Sequence, residues 1–185
     1  MIVNYQKTIN NHMKTLVQTR TQQVLTVMNI MAWVAFVGFA IEGGAILISY
    51  LVSCFNPDGS KIIYKGLNLY TLREYNFWHY TLRISFLVLL AGLKSHVWYL
   101  VIKTLSHLKL SNPFKMETAA KLEKISYTLF TTWLVGIVSS AHTAWLVTGQ
   151  DYGSGEFIFM AGLVFIISQV FKRGVEIQSE NELTV

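Results

Sequence analysis

Five side chains able to carry charge or protons, Glu42, Arg83, Lys94, His96 and His142, fall in or beside long apolar stretches of this 185-residue sequence. A charge in such surroundings costs at least about 2.5 kcal/mol unless it is paired or hydrated, so each one calls for a reason. Glu42 and Lys94 lie deepest. If the stretch holding Glu42 runs one way and the stretch holding Lys94 returns, helical rise brings the two within about 3–5 Å of the same depth, which suits an ion pair. Gly38, Gly43 and Gly44 would let a neighbouring helix approach Glu42 closely. Such a pair serves as a proton- or ion-coupled site, as the polar end of a ligand cavity, or as a structural lock on helix register. Arg83 precedes Lys94 by eleven residues, so both cations fall on one helical face and extend the polar seam toward the surface.

The histidines raise a haem or metal reading, which their depths oppose. One haem iron needs both axial imidazoles at one level. His96 lies inward of the middle of its stretch and His142 outward, a mismatch on the order of 10–15 Å by helical rise. His79 and His107 stand at opposite ends of the second helix and do not supply the missing partner. No Cys/His cluster has zinc spacing, so neither a metal nor a cofactor is expected. Ser139 and Ser140 lie close to His142, but with Ala141 and Ala144 they read as the small-residue face of a packed helix. No His-Glu-x-x-His motif, phosphate-binding glycine loop or nucleophile elbow occurs, and the chain is not expected to be an enzyme.

The elements that must position these residues are helices in a membrane. Hydrophobic residues make up 52% of the chain and charged residues 14%. Crossing a bilayer as a helix takes about 20 mostly apolar residues, and the sequence holds four such segments, near 28–55, 82–104, 125–148 and 156–172. The last is short and spans by sharing its ends with Glu156 and the stems of Lys172 and Arg173. The expected fold is all-α: residues 1–185 as a single transmembrane domain, an integral membrane four-helix bundle. The net charge of +5 is distributed with a clear bias. Lys7, Lys14, Arg20, Lys103, Lys109, Lys115, Lys121, Lys124, Lys172 and Arg173 flank one side, against Lys61, Lys65 and Arg73 on the other. Basic residues are retained on the cytoplasmic side, which places both termini and the second loop inside. These charges flank membrane segments, so direct nucleic-acid binding is not expected.

Spacing of Ile2, Tyr5, Ile9, Met13, Leu16 and Val17 predicts an amphipathic N-terminal extension of the first helix. Asn56, Pro57, Asp58 and Gly59 form a turn signal that ends it. The outer loop reads as irregular to about Phe77, with a short strand at 61–65. Tyr70, Tyr75, Phe77, Trp78 and Tyr80 read as an aromatic belt at headgroup level. Asn112 fits an N-cap and Pro113 the first helical position, so a short cytoplasmic amphipathic helix is expected to precede the third span. Residues 150–155 form an outer turn. The lone Cys54 can make no internal disulfide.

Asn112-Pro113-Phe114 before a basic helix, and the closing run from Phe171 to Glu182-Leu183-Thr184-Val185, resemble the YoaS-like family of small bacterial four-helix membrane proteins, a domain of unknown function. The resemblance covers most of the chain in layout and implies a bacterial inner-membrane protein. It also implies a partner, a small helix-turn-helix transcriptional regulator encoded beside such proteins, and it carries over no catalytic residue. Two functions are therefore expected in competition. One is a membrane-bound regulatory or sensory partner of that regulator, binding through Lys115, Lys121, Lys124, Glu176, Glu180 and Glu182, which would pair with each other or with the regulator. The alternative is a small transporter, channel or membrane-peptide tolerance factor, built as a homo-oligomer around the Glu42–Lys94–Arg83 seam.

Overall fold

The structure is a computed structural model that describes the backbone of residues 2–56, 69–108, 115–145 and 155–183. Side chains are described within these segments from residue 20 onward, apart from 107, 143–145, 182 and 183. The expected strand at 61–65, the turn residues Pro57–Gly59, the Asn112–Pro113 helix start, the turn at 150–154, the side chains of residues 2–17 and that of Glu182 lie outside the described residues. Among the described residues five helices follow in order: α1 (Ile2–Phe55), α2 (Leu69–Tyr75), α3 (Phe77–His107), α4 (Met116–Trp145) and α5 (Glu156–Leu183). No strand occurs among the described residues.

Helix α1 continues without a break through its apolar stretch, joining the amphipathic N-terminal segment to the span in 54 residues. The segment between the first two long helices is less irregular than expected. Leu69 and Leu72, three residues apart, bury one face of the short α2 against Tyr80 and Ile84. Arg73 of α2 donates to the Ser53 carbonyl at 2.9 Å, and so satisfies one of the carbonyls left free at the C-terminal end of α1. Asn76 then caps α3, its Oδ1 accepting from the backbone N–H of Trp78 at 2.9 Å and of His79 at 3.3 Å. Of the expected aromatic belt, Tyr75 and Trp78 are exposed, whereas Tyr80 is fully buried against Tyr50 and Phe77.

The long helices pack in the order α1–α3–α4–α5, each against the next, with no comparable packing of α1 on α4 or α5 among the described residues. Antiparallel α1 and α3 are in register where Ser95 Oγ donates to the Phe36 carbonyl at 3.4 Å and Tyr50 Oη meets Thr81 Oγ1 at 3.2 Å. Midway between these contacts Gly43 lies against Ala91, where a Cβ on the glycine would stand 3.4 Å from the alanine Cβ. Helices α4 and α5 are joined by Ser126 Oγ donating to the Ala161 carbonyl at 2.8 Å, beside a core of Leu100, Ile125, Leu129 and Ala161. Below, "upper" denotes the end where α3 begins and α4 ends.

The α4–α5 register sets α5 low. Taken with the Tyr127–Phe165 ring contact, it leaves α4 rising roughly 15–20 Å above the first turn of α5 by helical rise. The apolar run of α5 therefore does not match the other runs in level. Among the described residues three helical stretches are long and apolar enough to cross a membrane: Arg20–Phe55, Phe77–Ser106 and Glu156–Asn181. Their outer surfaces are apolar as well; Val34, Ile41 and Ile48 of α1 are 69%, 66% and 64% exposed. Contiguous apolar surface of that kind suits hydrocarbon rather than water. Helix α4 is not among the three. It carries Thr128, Thr131, Thr132, Ser139, Ser140 and His142 within its length.

The Gly43–Ala91 approach makes a specific prediction. Gly43→Leu should force α1 from α3 and lower stability by about 1–3 kcal/mol, the usual cost of overpacking a tight contact. Gly38→Leu, at a position with open space around it, should change little. Thermal unfolding of the detergent-solubilised protein measures both.

Candidate functional site

A dense polar grouping lies between the upper parts of α3 and α4. His79, Arg83 and Phe86 follow one another at four- and three-residue spacing, which aligns them on one face of α3. Ser139 and His142 stand three apart on the facing side of α4. The antiparallel packing brings the two rows together. His79 Nδ1 and His142 Nε2 are 3.2 Å apart, with ring centroids separated by 5.4 Å. The Phe86 ring stands 6.1 Å from that of His142. One turn below, Arg83 is 3% exposed and its Nη1 donates to Ser139 Oγ at 2.9 Å. The His142 Nδ1 atom is buried with no hydrogen-bond partner among the described residues.

This arrangement holds a proton between two imidazoles beside a permanent cation. In the neutral pair one ring nitrogen donates its hydrogen and the other accepts through its lone pair. The guanidinium keeps its charge at every accessible pH, and its fork offers donors rather than acceptors. No group of three or more His, Cys, Asp or Glu side chains able to hold a metal ion occurs among the described residues.

The remaining expected site residues are placed apart from this cluster. Lys94 projects its Nζ over two rings, 5.5 Å from the centroid of Phe39 on α1 and 5.9 Å from that of Phe157 on α5, as a cation–π seat. Glu42 is exposed on α1, and no ion pair joins it to Lys94. The register explains the difference from expectation. With Phe36 opposite Ser95 and Tyr50 opposite Thr81, Glu42 stands level with residue 89 of α3, about 7–8 Å above Lys94 by helical rise. Arg83 and Lys94 do share a sector of α3, but Arg83 turns to α4 while Lys94 turns to α1 and α5. His96 is exposed near Tyr99, with ring centroids 6.1 Å apart, and does not meet His142.

At the lower end the charges pair mostly within or between neighbouring helices. Lys121 meets Glu117 at 2.7 Å on α4, Arg173 meets Glu176 at 2.7 Å on α5, and Lys172 of α5 reaches Glu123 of α4 at 2.9 Å. The cross-helix bridge thus has the polarity opposite to the expected pairing of a basic α4 with an acidic tail. Lys124 and Glu180 are exposed and Lys115 is half-buried.

His79 is the residue whose place the sequence reading misses. Depth judged from apolar limits puts His142 below the end of the third run and His79 outside the second. The last turns of α4 instead rise to the first turn of α3. The useful signal is the pair of spacings, His79 with Arg83 and Ser139 with His142, which gives each helix one polar face at its upper end. Ser139→Ala should remove an acceptor from the buried guanidinium and cost about 1–3 kcal/mol, the range for loss of a buried partner. Val138→Ala, at the exposed neighbouring position, should cost about 0.5 kcal/mol or less. Thermal unfolding of both variants in one detergent gives the comparison.

Neither a curated protein nor a solved structure matches the chain. A family model described as "Protein of unknown function (DUF2975)" matches residues 13–185, nearly the whole sequence. The chain belongs to the DUF2975 family.

Proposed function

We propose that this chain is a bacterial inner-membrane protein of four spans, with both termini in the cytoplasm, that acts as the membrane-bound regulatory or sensory partner of a small helix-turn-helix regulator. The excess of basic residues beside the termini and the second loop supports this orientation. The fourth span is α4, three of whose hydroxyls are satisfied by its own backbone. Thr128, Thr131 and Thr132 each donate to the carbonyl four residues earlier, at 2.8–2.9 Å, so their hydroxyls need no water.

The observation that carries the regulatory reading is the length of two helices at the lower end. Counted from their contacts with α3 and α4, α1 passes the end of α3 by roughly 30 Å and α5 passes the start of α4 by roughly 10–20 Å. Both extensions leave the same end, where the termini are cytoplasmic in this orientation. The α5 extension carries the exposed Glu176 and Glu180. Together they form a helical surface outside the membrane that a soluble partner can grasp. The regulator itself comes from the resemblance to the YoaS-like family. Co-expressed with the full chain, the adjacently encoded regulator should sediment with the membrane fraction. Deleting 178–185 should release it while the truncated chain stays inserted. A regulator that remains soluble beside the full chain would sink the proposal.

A second reading, a small oligomeric transporter, channel or tolerance factor, is favoured by the seat of Lys94 within an apolar span between Phe39 and Phe157. On that reading Glu42→Gln and Lys94→Met abolish flux in proteoliposomes without impairing insertion. Loss of thermal stability alone, with flux retained, counts against it.

A further inference from the structure

We propose that His79 and His142 form a proton-binding site whose second protonation parts the upper ends of α3 and α4. The contact itself carries the inference. At 3.2 Å, edge to edge, the two nitrogens accommodate one hydrogen between them. The neutral pair uses one N–H and one lone pair. A first added proton leaves that bond in place as imidazolium donating to imidazole, a charge-assisted and stronger bond. His142 Nδ1, buried and without a partner among the described residues, provides a lone pair for it when Nε2 carries the shared hydrogen. A second added proton leaves no lone pair between the rings. Two N–H groups then face each other, and two imidazolium charges stand beside Arg83.

The groups around the pair sharpen this response. On α3 they are Arg83 and the buried Tyr80, and on α4 no other ionisable residue lies between Tyr127 and His142. From α1 comes Tyr50, engaged with Thr81 and Tyr80 on another face of α3. Helix α2 contributes Arg73, bonded to the Ser53 carbonyl, with Tyr70, Tyr75 and the exposed Glu74. The nearest acid of α5, Glu156, opens that helix far below.

The packing between α3 and α4 allows the ends to part. Their apolar core, Leu100 against Ile125 and Leu129, lies in the lower half, where α5 also packs. The upper half is held by the histidine pair, the Phe86–His142 ring contact and the Arg83–Ser139 bond. A tight lower core and a polar upper contact make a pivot. In the orientation proposed above, the proton comes from the outer side.

The test is a pair of distances in the full chain, with Cys54→Ser to remove the native thiol. Spin labels at Leu82→Cys and Val138→Cys, both exposed, report the upper gap; labels at Tyr99→Cys and Phe130→Cys report the lower core. Between pH 8 and pH 4, a range wide enough for the second proton to enter beside an existing imidazolium charge, the upper distance should lengthen by a few ångström while the lower stays fixed. In His79→Gln the upper distance should cease to respond. An upper distance independent of pH in the parent overturns the proposal, and so does a lengthening that persists in His79→Gln. The parent measurement needs no histidine substitution, so a variant that fails to fold does not protect the idea. None of these outcomes depends on the regulator.

Discussion

A polar atom buried between apolar helices is costly unless it finds a partner within its own helix or across the contact, because no water is there to take its place. That constraint organises this protein. Each contact between long helices carries a short list of cross-links: Ser95 to the Phe36 carbonyl and Tyr50 to Thr81 for α1 and α3, Arg83 to Ser139 and His79 to His142 for α3 and α4, Ser126 to the Ala161 carbonyl and Lys172 to Glu123 for α4 and α5. The hydroxyls of Thr128, Thr131 and Thr132 on α4 turn back on their own backbone. Apolar packing between helices tolerates sliding, since one leucine resembles the next. The cross-links do not, so they set the register, and the register decides which charges meet.

The fate of Glu42 and Lys94 follows from this. A displacement of about one and a half helical turns separates them, and Lys94 settles between Phe39 and Phe157 instead. Two ring faces offer a cation some of what a carboxylate would, without requiring a second buried charge. Arg83, on the same sector of α3, meets a hydroxyl from α4 and belongs to a different site. The single polar seam expected on α3 becomes two environments separated by about 16 Å of helical rise.

The long apolar stretches make the helical class legible from residue types alone, and the amphipathic spacing before residue 20 anticipates the single long α1. The start of α2 was less visible, because two leucines and an arginine in a polar-aromatic stretch carry little periodicity; only the contact with Tyr80 and Ile84 gives that turn a buried face. The need of Arg83 for a polar partner was legible, since a lone arginine at the edge of an apolar run has few bland explanations. His79 was not. Its meaning lies in a relation between two helices whose relative height depends on Ser126, Ser139 and Ala161, small residues with no strong signal of their own. A depth scale built from hydrophobic limits ranks residues along one helix well, and compares two helices only as well as their limits are sharp. The upper end of α4, polar from Ser139 to His142, has no sharp limit.

The same cross-links join the upper cluster to the lower extensions. Helix α4 touches both: His142 is one turn from its upper end, and Glu123 near its base holds Lys172 of α5. Helices transmit tilt as nearly rigid rods, so a parting of α3 and α4 above the Leu100–Leu129 core turns the base of α4 in the opposite sense. Helix α5 follows that base, because Ser126 and Glu123 bind it there, and the acidic extension beyond Lys172 moves with it. Helix α1 is tied to α3 and does not share that movement. A proton taken up at His79 and His142 would then be read at the other end as a change in the spacing of two projecting helices. That coupling requires only one tight core, one polar contact above it and one ion pair below.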